Sequence, residues 1–364
     1  MGMDARPRAN THTRSPAVVK ALVLAGGYAT RLRPLSCSKP KLLFPVVGVP
    51  LIDLIVSWLK EGGVRDVILA VNHLAERLRI EVGEKRLGSK VTLSVEENPL
   101  GTAGPIRLAK DLLDNEPLLV VNGDIVTDIS LKGMVKSHLE HEAKATVSLV
   151  AVRDPEPYGS VALDSRGRIT MFEEKTKRVS ESHLVNAGAY VLDPSIIDRI
   201  PAARQVSLEQ MIFPELARGG KMWGWRHEGY WYDIGRIPNY VRANKELLQR
   251  FHGSRSSKSE VHGRDGFIRQ PSYLGEGSTF QRGAQLGPGA ILSRGVVIGE
   301  GAVVRDSIIF ENTSIGRECL VDGVLIGERV TVGGRTRIGR GSIIAGEVNI
   351  PSRTMIRQNT VVLS

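Results

Sequence analysis

The chain has 364 residues, of which 41% are hydrophobic and 24% are charged, so it can bury a core for two domains or slightly more. Its longest apolar runs fall far short of the roughly 18 to 20 residues that cross a bilayer, which excludes a membrane-spanning protein and predicts a soluble, cytoplasmic one without a membrane partner. The formal charge of +10 is scattered among acidic residues without a lysine-arginine block, which argues against nucleic acid as a partner and favours small anionic substrates.

Four segments follow one another along the chain. Residues 1–17 form a basic tail that we expect to be disordered, residues 18–250 alternate short apolar runs with helical patterns, residues 251–266 form a polar linker, and residues 267–364 carry a repeat. The alternation in the second segment is typical of a parallel sheet covered by helices. Predicted strands are Val18–Leu24, Val67–Val71, Leu118–Val121, Ala145–Val152 and Ala189–Leu192, and predicted helices are Leu51–Glu61, Leu74–Glu84, Ala103–Leu113 and Leu131–Glu142.

The first predicted strand ends in a glycine turn followed by several cations. Glycine lets the backbone turn its N–H groups toward a ligand, and arginine and lysine supply positive charge, so this turn predicts a polyphosphate site. Neither the P-loop pattern nor the dinucleotide pattern fits it. The residues concerned are Leu24, Ala25, Gly26, Gly27 and Thr30 in the turn, Arg31 and Lys41 as the favoured cations, and Arg33 and Lys39 as weaker candidates.

The last segment has a period of six. Two five-residue steps reset the register, one between Phe310 and Ile315 and one between Val321 and Ile326. Hexapeptides of this kind resemble the left-handed parallel β-helix, in which three of them form one coil that is buried only against its neighbours. We expect this domain to serve in homo-oligomer formation or allosteric placement. The segment contains no histidine, which argues against an acyltransferase. The repeated positions are Ile268, Leu274, Phe280, Leu286, Leu292, Ile298, Val304, Phe310, Ile315, Val321, Ile326, Val332, Ile338, Ile344, Ile350, Ile356 and Val362.

The glycine turn resembles the signature of the sugar-1-phosphate nucleotidyltransferases, G-G-x-G-T-R-L-x-P-L-[TS] followed by P-K. Here it runs from Gly26 to Ser36 and continues at Pro40 and Lys41. One position departs from the pattern, because Ala29 replaces a glycine; a left-handed backbone there would cost about 1 kcal/mol. The resemblance implies a Rossmann-like nucleotidyltransferase domain over residues 18–250, followed by the left-handed β-helix.

The resemblance also implies a reaction between a nucleoside triphosphate and a sugar-1-phosphate that gives a nucleotide sugar and pyrophosphate. Arg31 and Lys41 would then be the catalytic cations. Asp124, in N-G-D, and Asp233, in W-x-D-x-G, match the family's two carboxylates and would hold Mg²⁺.

Two further groups of residues match the family's substrate segments. For the nucleotide, the segment E-E-N-P-L-G-T-A-G is most similar to that of GDP-mannose pyrophosphorylases, and Glu96 could accept hydrogen bonds from guanine. The nucleotide group comprises Glu96, Gly101, Thr102 and Asn122, and the sugar-phosphate group comprises Gly159, Glu174, Lys175 and Asn186.

The resemblance favours GTP and mannose-1-phosphate as substrates but leaves alternatives open. The chain could instead transfer an adenylyl, uridylyl or thymidylyl group to glucose-1-phosphate, or act on a cyclitol or heptose phosphate. It could also be a regulatory subunit that binds a nucleotide sugar without catalysis. A silent subunit would be expected to lack a charge at Arg31, Lys41, Asp124 or Asp233, and all four are present.

Overall fold

The computed structural model describes residues 20–72, 74–83, 85–156, 158–173, 183–202, 204–251 and 266–363. The predicted tail, most of the predicted linker, and the candidates Glu174 and Lys175 lie outside these residues. Within them, no helix is long and apolar enough to cross a membrane. Both cysteines are free thiols, with Cys37 exposed and Cys319 buried.

Residues 20–251 form an α/β domain. Its α-helices are α1 (Leu51–Glu61), α2 (Ala75–Val82), α3 (Gly104–Leu108), α4 (Leu131–Glu140), α5 (Phe213–Arg218) and α6 (Ile237–Phe251). Its strands are β1 (Ala21–Leu24), β2 (Pro45–Val46), β3 (Val49–Pro50), β4 (Asp66–Val71), β5 (Lys85–Arg86), β6 (Ser89–Val95), β7 (Leu118–Asn122), β8 (Ile125–Thr127), β9 (Ala145–Ala151), β10 (Ser160–Leu163), β11 (Ile169–Glu173), β12 (Leu184–Leu192), β13 (Met222–His227) and β14 (Trp231–Asp233). Short 3₁₀ turns cover Thr30–Leu32, Leu35–Cys37, Lys41–Leu43, Lys110–Leu112 and Pro194–Arg199, and a π-helix covers Leu208–Ile212.

The main sheet is mixed rather than wholly parallel. Strands β7, β1, β4 and β6 run parallel in that order, as the alternating pattern predicts. Strand β12 then adds antiparallel to β7 and also pairs with β9. The chain order reverses between β1 and β7, and ligands bind beyond the carboxyl ends of strands at such a switch point. Leu24 lies opposite Asn122 there, so the glycine turn and the N-G-D segment begin side by side.

Most predicted elements are found close to their predicted bounds. Helix α1 begins at Leu51 and ends at Glu61 as predicted, with one face buried in the core. The helix predicted over Ala103–Leu113 is instead α3 and a separate 3₁₀ turn, because Ala109 between them has a ψ of 5° and leaves the helical region.

Residues 267–362 form three parallel sheets, the architecture that the hexapeptide period predicts. One position in the predicted register is wrong. The first five-residue step lies between Val304 and Ile309, so Ile309 rather than Phe310 enters the β-helix core. Phe310 joins the core of the α/β domain. The strands are β15 (Phe267–Ile268), β16 (Tyr273–Leu274), β17 (Thr279–Phe280), β18 (Gln285–Leu286), β19 (Ile291–Leu292), β20 (Val297–Ile298), β21 (Val303–Arg305), β22 (Ile308–Ile309), β23 (Ser314–Ile315), β24 (Leu320–Asp322), β25 (Leu325–Ile326), β26 (Thr331–Val332), β27 (Arg337–Ile338), β28 (Ile343–Ile344), β29 (Asn349–Ile350), β30 (Met355–Ile356) and β31 (Val361–Val362).

The two domains share buried aromatic side chains. The ring of Phe310 lies 5.3 Å from that of Phe44 and 6.2 Å from that of Tyr240, both with edge-on geometry. Gly48, at a φ of 74°, lies against the ring of Tyr273, where any larger side chain would overlap the ring. The β-helix therefore packs directly on the segment that follows the glycine turn.

Candidate active site

The glycine turn leaves β1 at the switch point and continues through three short 3₁₀ turns. Ala29 has a φ of 48° and a ψ of 38°, so the departure from the family glycine falls on a left-handed residue. Its carbonyl accepts hydrogen bonds from Ser36 Oγ at 2.8 Å and from Leu32 N at 2.9 Å, which offset the conformational cost. Leu24, Ala25 and Gly26 are half-buried along the turn, and Gly27 and Thr30 are exposed.

Lys41 contacts one of the predicted carboxylates, and Arg31 lies near both. Lys41 Nζ lies 2.9 Å from Asp124 Oδ2. A methyl group added to Gly235 would lie 3.0 Å from Asp233 Oδ1, 3.3 Å from Asp124 Oδ2 and 3.4 Å from Arg31 Nη2. The side chains of Asp233, Asp124 and Arg31 therefore converge on the Cα of Gly235, where a Cβ atom would be crowded by all three.

Strand pairing brings the two carboxylates together. Asp233 ends β14 opposite Ile125 of β8, and Ile234 N donates to the Asp124 carbonyl at 2.9 Å. Burial and the negative charge of Asp124 raise the pKa of Asp233, against the cations Arg31 and Lys41. Burial would also raise the pKa of Asp124, but Lys41 and then Arg31 outweigh it and lower that pKa. The two cations thus favour the charged form of Asp124, while Asp233 is the less well compensated carboxylate of the pair.

The donor set suits a metal that takes few ligands from protein. Among the residues that the structure describes, no cluster of three or more His, Cys, Asp or Glu is placed to hold a metal ion. Two carboxylates supply the oxygen ligands that a hard cation takes from protein when phosphate oxygens and water complete its coordination.

Glu96 is buried at the edge of the glycine turn, with 3% of its surface exposed. Its Oε2 accepts from Leu100 N at 2.9 Å, while Oε1 has no hydrogen-bond partner in the described part of the chain and lies against the Cα of Gly26. Burial raises the pKa of this carboxyl. An unpaired buried carboxylate oxygen is costly, so this one is poised to accept from a ligand.

The residues after Glu96 are held by a buried carboxylate that the sequence did not single out. Thr102 Oγ1 donates to Glu209 Oε2 at 2.5 Å, and Tyr190 OH donates to Glu209 Oε1 at 3.1 Å. Gly101, at a φ of 80°, pairs with Val206 and could not carry a side chain there. Gly101 and Thr102 thus shape the segment through internal contacts. Glu209 was missed because nothing in its local sequence marks it, and its partners Tyr190 and Thr102 lie 19 and 107 residues away along the chain.

Gly159 and Asn186, the two predicted sugar-phosphate residues that the structure describes, lie together near Asn122 of the N-G-D segment. Asn186 Nδ2 donates to Tyr190 OH at 2.9 Å, and Asn186 N donates to the Gly159 carbonyl at 3.3 Å. Gly188, with a φ of 79°, lets the backbone approach the side chain of Asn122. The Glu209 network therefore extends from the nucleotide segment to the sugar segment.

The weaker cation candidates lie elsewhere. Arg33 is exposed. Lys39 is 2% exposed and forms ion pairs with Glu311 and Glu328 of the β-helix. Its charge therefore lies at the domain interface and is not paired with Asp124 or Asp233.

Family models match both domains. A model described as nucleotidyl transferase matches residues 20–250, and one described as GMPPB C-terminal domain matches residues 268–364.

Similar proteins carry consistent names. The chain is 41% identical over 236 residues to mannose-1-phosphate guanylyltransferase catalytic subunit beta of Danio rerio, covering 64% of this chain and 65% of that protein. It is 39% identical to mannose-1-phosphate guanyltransferase beta-B of Xenopus laevis with the same coverage, so the match spans just under two thirds of these relatives. Over 274 residues it is 35% identical to mannose-1-phosphate guanylyltransferase of Mycobacterium tuberculosis, covering 73% of this chain and 76% of that protein.

Two solved structures resemble the α/β domain. HddC from Yersinia pseudotuberculosis, solved with GMP-PN, has a TM-score of 0.55 and 28% identity over 63% of this chain and 99% of that chain. A putative glucose-1-phosphate thymidylyltransferase from Bacillus anthracis has a TM-score of 0.57 and 26% identity over 62% of this chain and 94% of that chain.

Proposed function

Because this chain belongs to the nucleotidyl transferase family, we propose that it transfers a guanylyl group from GTP to mannose-1-phosphate and releases pyrophosphate. The observation that carries the proposal is the meeting of Arg31, Asp124 and Asp233 around Gly235, with Lys41 paired to Asp124, at the sheet's switch point. A regulatory subunit without catalysis would have no need to keep two cations and two carboxylates in this arrangement.

The reaction needs alignment and charge more than a protein nucleophile. An oxygen of the sugar phosphate attacks the α-phosphorus, a new P–O bond forms, and the bond to the β-phosphate oxygen breaks as pyrophosphate leaves with the electron pair. The attacking oxygen is already anionic, so no general base is required. Arg31 would hold the leaving phosphates in a bidentate fork, and Lys41 would follow the α-phosphate as a point charge.

We assign Asp124 and Asp233 to a divalent metal, with Mg²⁺ as the favoured ion. Bound there, Mg²⁺ would neutralise phosphate charge and orient the reacting oxygens. Lys41 Nζ lies 2.9 Å from Asp124 Oδ2. Its ammonium has three N–H donors, so it could keep this contact while donating to an α-phosphate oxygen.

Guanine is the favoured base. The unpaired Oε1 of Glu96 could accept from N1–H or N2–H of guanine, donors that adenine lacks on that edge. Leu24, Ala25, Gly26, Gly27 and Thr30 would bind the phosphates and ribose, with Gly101, Thr102 and Asn122 shaping the remaining walls.

Mannose-1-phosphate is favoured by the names of the similar proteins. Gly159 and Asn186 are within one hydrogen bond of each other and would bind the sugar. Glu174 and Lys175 stay predicted as acceptor and phosphate partner. A homo-oligomer through the β-helix and a cytoplasmic location also stay predictions.

The test is a matrix of GTP, ATP, UTP and dTTP against mannose-1-phosphate, glucose-1-phosphate and a heptose phosphate, with Mg²⁺ and a readout of pyrophosphate release. We expect the highest kcat/KM for GTP with mannose-1-phosphate. Lys41→Ala should lower it by about 10²-fold, whereas Lys110→Ala, an exposed lysine paired with Asp198, should not. Preference for another pair would replace the substrate assignment, and silence across the matrix would favour the regulatory subunit.

A further inference from the structure

Lys39 lies two residues before Lys41 but points the opposite way, into the β-helix. Its Nζ lies 2.9 Å from Glu328 Oε2 and also pairs with Glu311. Glu311 and Glu328 follow Ile309 and Ile326, the inward residues of successive coils, so they are stacked on the same corner of the β-helix. The lysine is thus held by two consecutive coils.

A second cation of the α/β domain meets the same carboxylate. Arg77 of α2 donates from Nη2 to Glu328 Oε2 at 2.7 Å and from Nη1 to the carbonyl of Ser38, the residue before Lys39. In the next coil, a methyl group on Gly346 would lie 2.8 Å from Ser38 Oγ. Ser38 and Lys39 are therefore clamped between α2 and the β-helix.

Glu328 is a fully enclosed charge, with 1% of its side chain exposed. Burial would raise its pKa, but the hydrogen bond from Arg77 and the charge of Lys39 outweigh burial and lower the pKa. Buried ion pairs contribute little net stability compared with well-packed apolar groups, and are better suited to fixing a register. Glu328 pairs with Lys39 and Arg77 of the α/β domain and with Arg329 of its own coil, so two of these three cations lie in the neighbouring domain.

The link from Lys39 to Lys41 is short and stiff. Pro40 between them has a φ of −56°, fixed by its ring, and restricts the residue before it. Lys41 then begins a 3₁₀ turn closed by Leu43 N donating to the Pro40 carbonyl at 2.9 Å. A shift of Lys39 is consequently passed on to Lys41 and to its contact with Asp124.

We infer that Glu328 is a positioning residue for nucleotidyl transfer, acting through Lys39 and Arg77 to hold Lys41 at the carboxylates. The inference rests on the proposed function and assigns the β-helix a part in the chemistry of the neighbouring domain. A misplacement of about 1 Å in an aligned site lowers rates strongly, so the contact governs turnover without touching substrate.

Steady-state kinetics of Glu328→Gln in the full chain test this, with Glu318→Gln as the matched control. Glu318 pairs with Arg335 within the β-helix at 3.0 Å and is exposed. We expect Glu328→Gln to lower kcat/KM for GTP about tenfold, with the KM for mannose-1-phosphate within about twofold of wild type. The control should match wild type. Unchanged kinetics in Glu328→Gln would overturn the inference.

Hydrogen exchange separates positioning from general unfolding and does not depend on the reaction. In Glu328→Gln the amides of Cys37, Leu43 and Phe44, which are hydrogen-bonded in the loop, should exchange about tenfold faster, while β-helix amides keep their protection. Faster exchange throughout the β-helix would indicate a purely structural role and overturn the inference. If wild-type protein proves inactive with GTP and mannose-1-phosphate, the proposed function fails, yet exchange still tests the loop contact.

A double-mutant cycle addresses direct phosphate binding by Lys39. If Lys39 acts through Glu328, Lys39→Gln with Glu328→Gln should lose no more activity than the worse single variant. Additive losses would indicate that Lys39 acts on substrate by itself, and this would overturn the inference.

Discussion

At the scale of single residues, the candidate site depends on the lack of a side chain at Gly235. Gly235 touches no substrate in the proposed reaction, but its missing Cβ makes room for Arg31, Asp124 and Asp233 to converge. The family pattern W-x-D-x-G contains this glycine, and only the structure gives it a physical reason.

We expect Gly235→Ala to lower kcat/KM by about 10²-fold, because the added methyl group would separate the three charged groups by a few tenths of an ångström or more. The midpoint of urea unfolding should change little. Gly219→Ala is the control, since its added methyl group would make ordinary contacts at 3.5 and 3.6 Å, far from the site. Full activity of Gly235→Ala would mean that the charged groups tolerate a wider arrangement.

At the scale of elements, the π-helix Leu208–Ile212 connects the two predicted substrate segments. Glu209 accepts from Thr102 on the nucleotide side and from Tyr190 on the sugar side. π-Helices are rare in proteins, and those that occur are often found at functional sites, which agrees with the position of this one between the two substrate segments.

Glu209→Gln should raise the KM for both substrates several-fold, because the amide cannot accept from both hydroxyls with two oxygens as the carboxylate does. Glu215→Gln, in the following helix, removes an exposed carboxylate paired with Arg199 and should match wild type. A rise in only one KM would show that the network serves one substrate alone.

Helix α4 supplies a pH-dependent contribution to stability. His138 is 2% exposed, contacts Thr146 Oγ1 of β9 at 3.0 Å, and has its pKa lowered from 6.5 to about 4, chiefly by burial. Below pH 6.5 the His138 imidazole binds a proton in the unfolded chain but stays neutral in the folded one. The free energy of unfolding therefore falls as the pH drops toward 4.

Urea unfolding at pH 7.5 and pH 5 measures this contribution. From pH 7.5 to pH 5, the free energy of unfolding should fall by about 2 kcal/mol more in the wild-type protein than in His138→Asn. His141→Asn, an exposed histidine at the end of the same helix, should behave as wild type. Equal losses in all three proteins would mean that other groups account for the acid sensitivity.

The fold and the grouping of the charged side chains at the switch point could be predicted because their determinants are local. The strand that precedes the glycine turn, the N-G-D segment and the hexapeptide period each lie within a few consecutive residues. The roles of Lys39 and Glu209 could not, because Lys39 meets a carboxylate 289 residues away and Glu209 meets a hydroxyl 107 residues away. A lysine beside a phosphate loop looks the same in sequence whichever partner it binds.

At the scale of the whole molecule, the two domains are one packing unit. Phe310 belongs to the β-helix sequence but packs among the buried side chains of the α/β domain. Removal of the β-helix would expose Phe44 and Tyr240, so we expect it to affect the stability of the α/β domain as well as assembly.

Phe310→Ala should lower the free energy of unfolding by about 3 to 5 kcal/mol. The four tryptophans, Trp58, Trp223, Trp225 and Trp231, all lie in the α/β domain, so their fluorescence reports on that domain alone. The fluorescence transition in urea should shift although the substitution is in the β-helix. Phe267→Ala, at a side chain that is 55% exposed, should shift it little. An unshifted transition in Phe310→Ala would show that the domains unfold independently.

The five-residue step between Val304 and Ile309 also bears on domain exchange. Because that shortened coil turns Phe310 outward, a β-helix from a relative would join this α/β domain productively only if its own short coil fell at the same place. Chimaeras should therefore succeed or fail according to coil length at this one corner, more than according to overall sequence identity. Chimaeras in which this coil is lengthened or shortened by one residue would show which coil lengths allow the two domains to be exchanged between relatives.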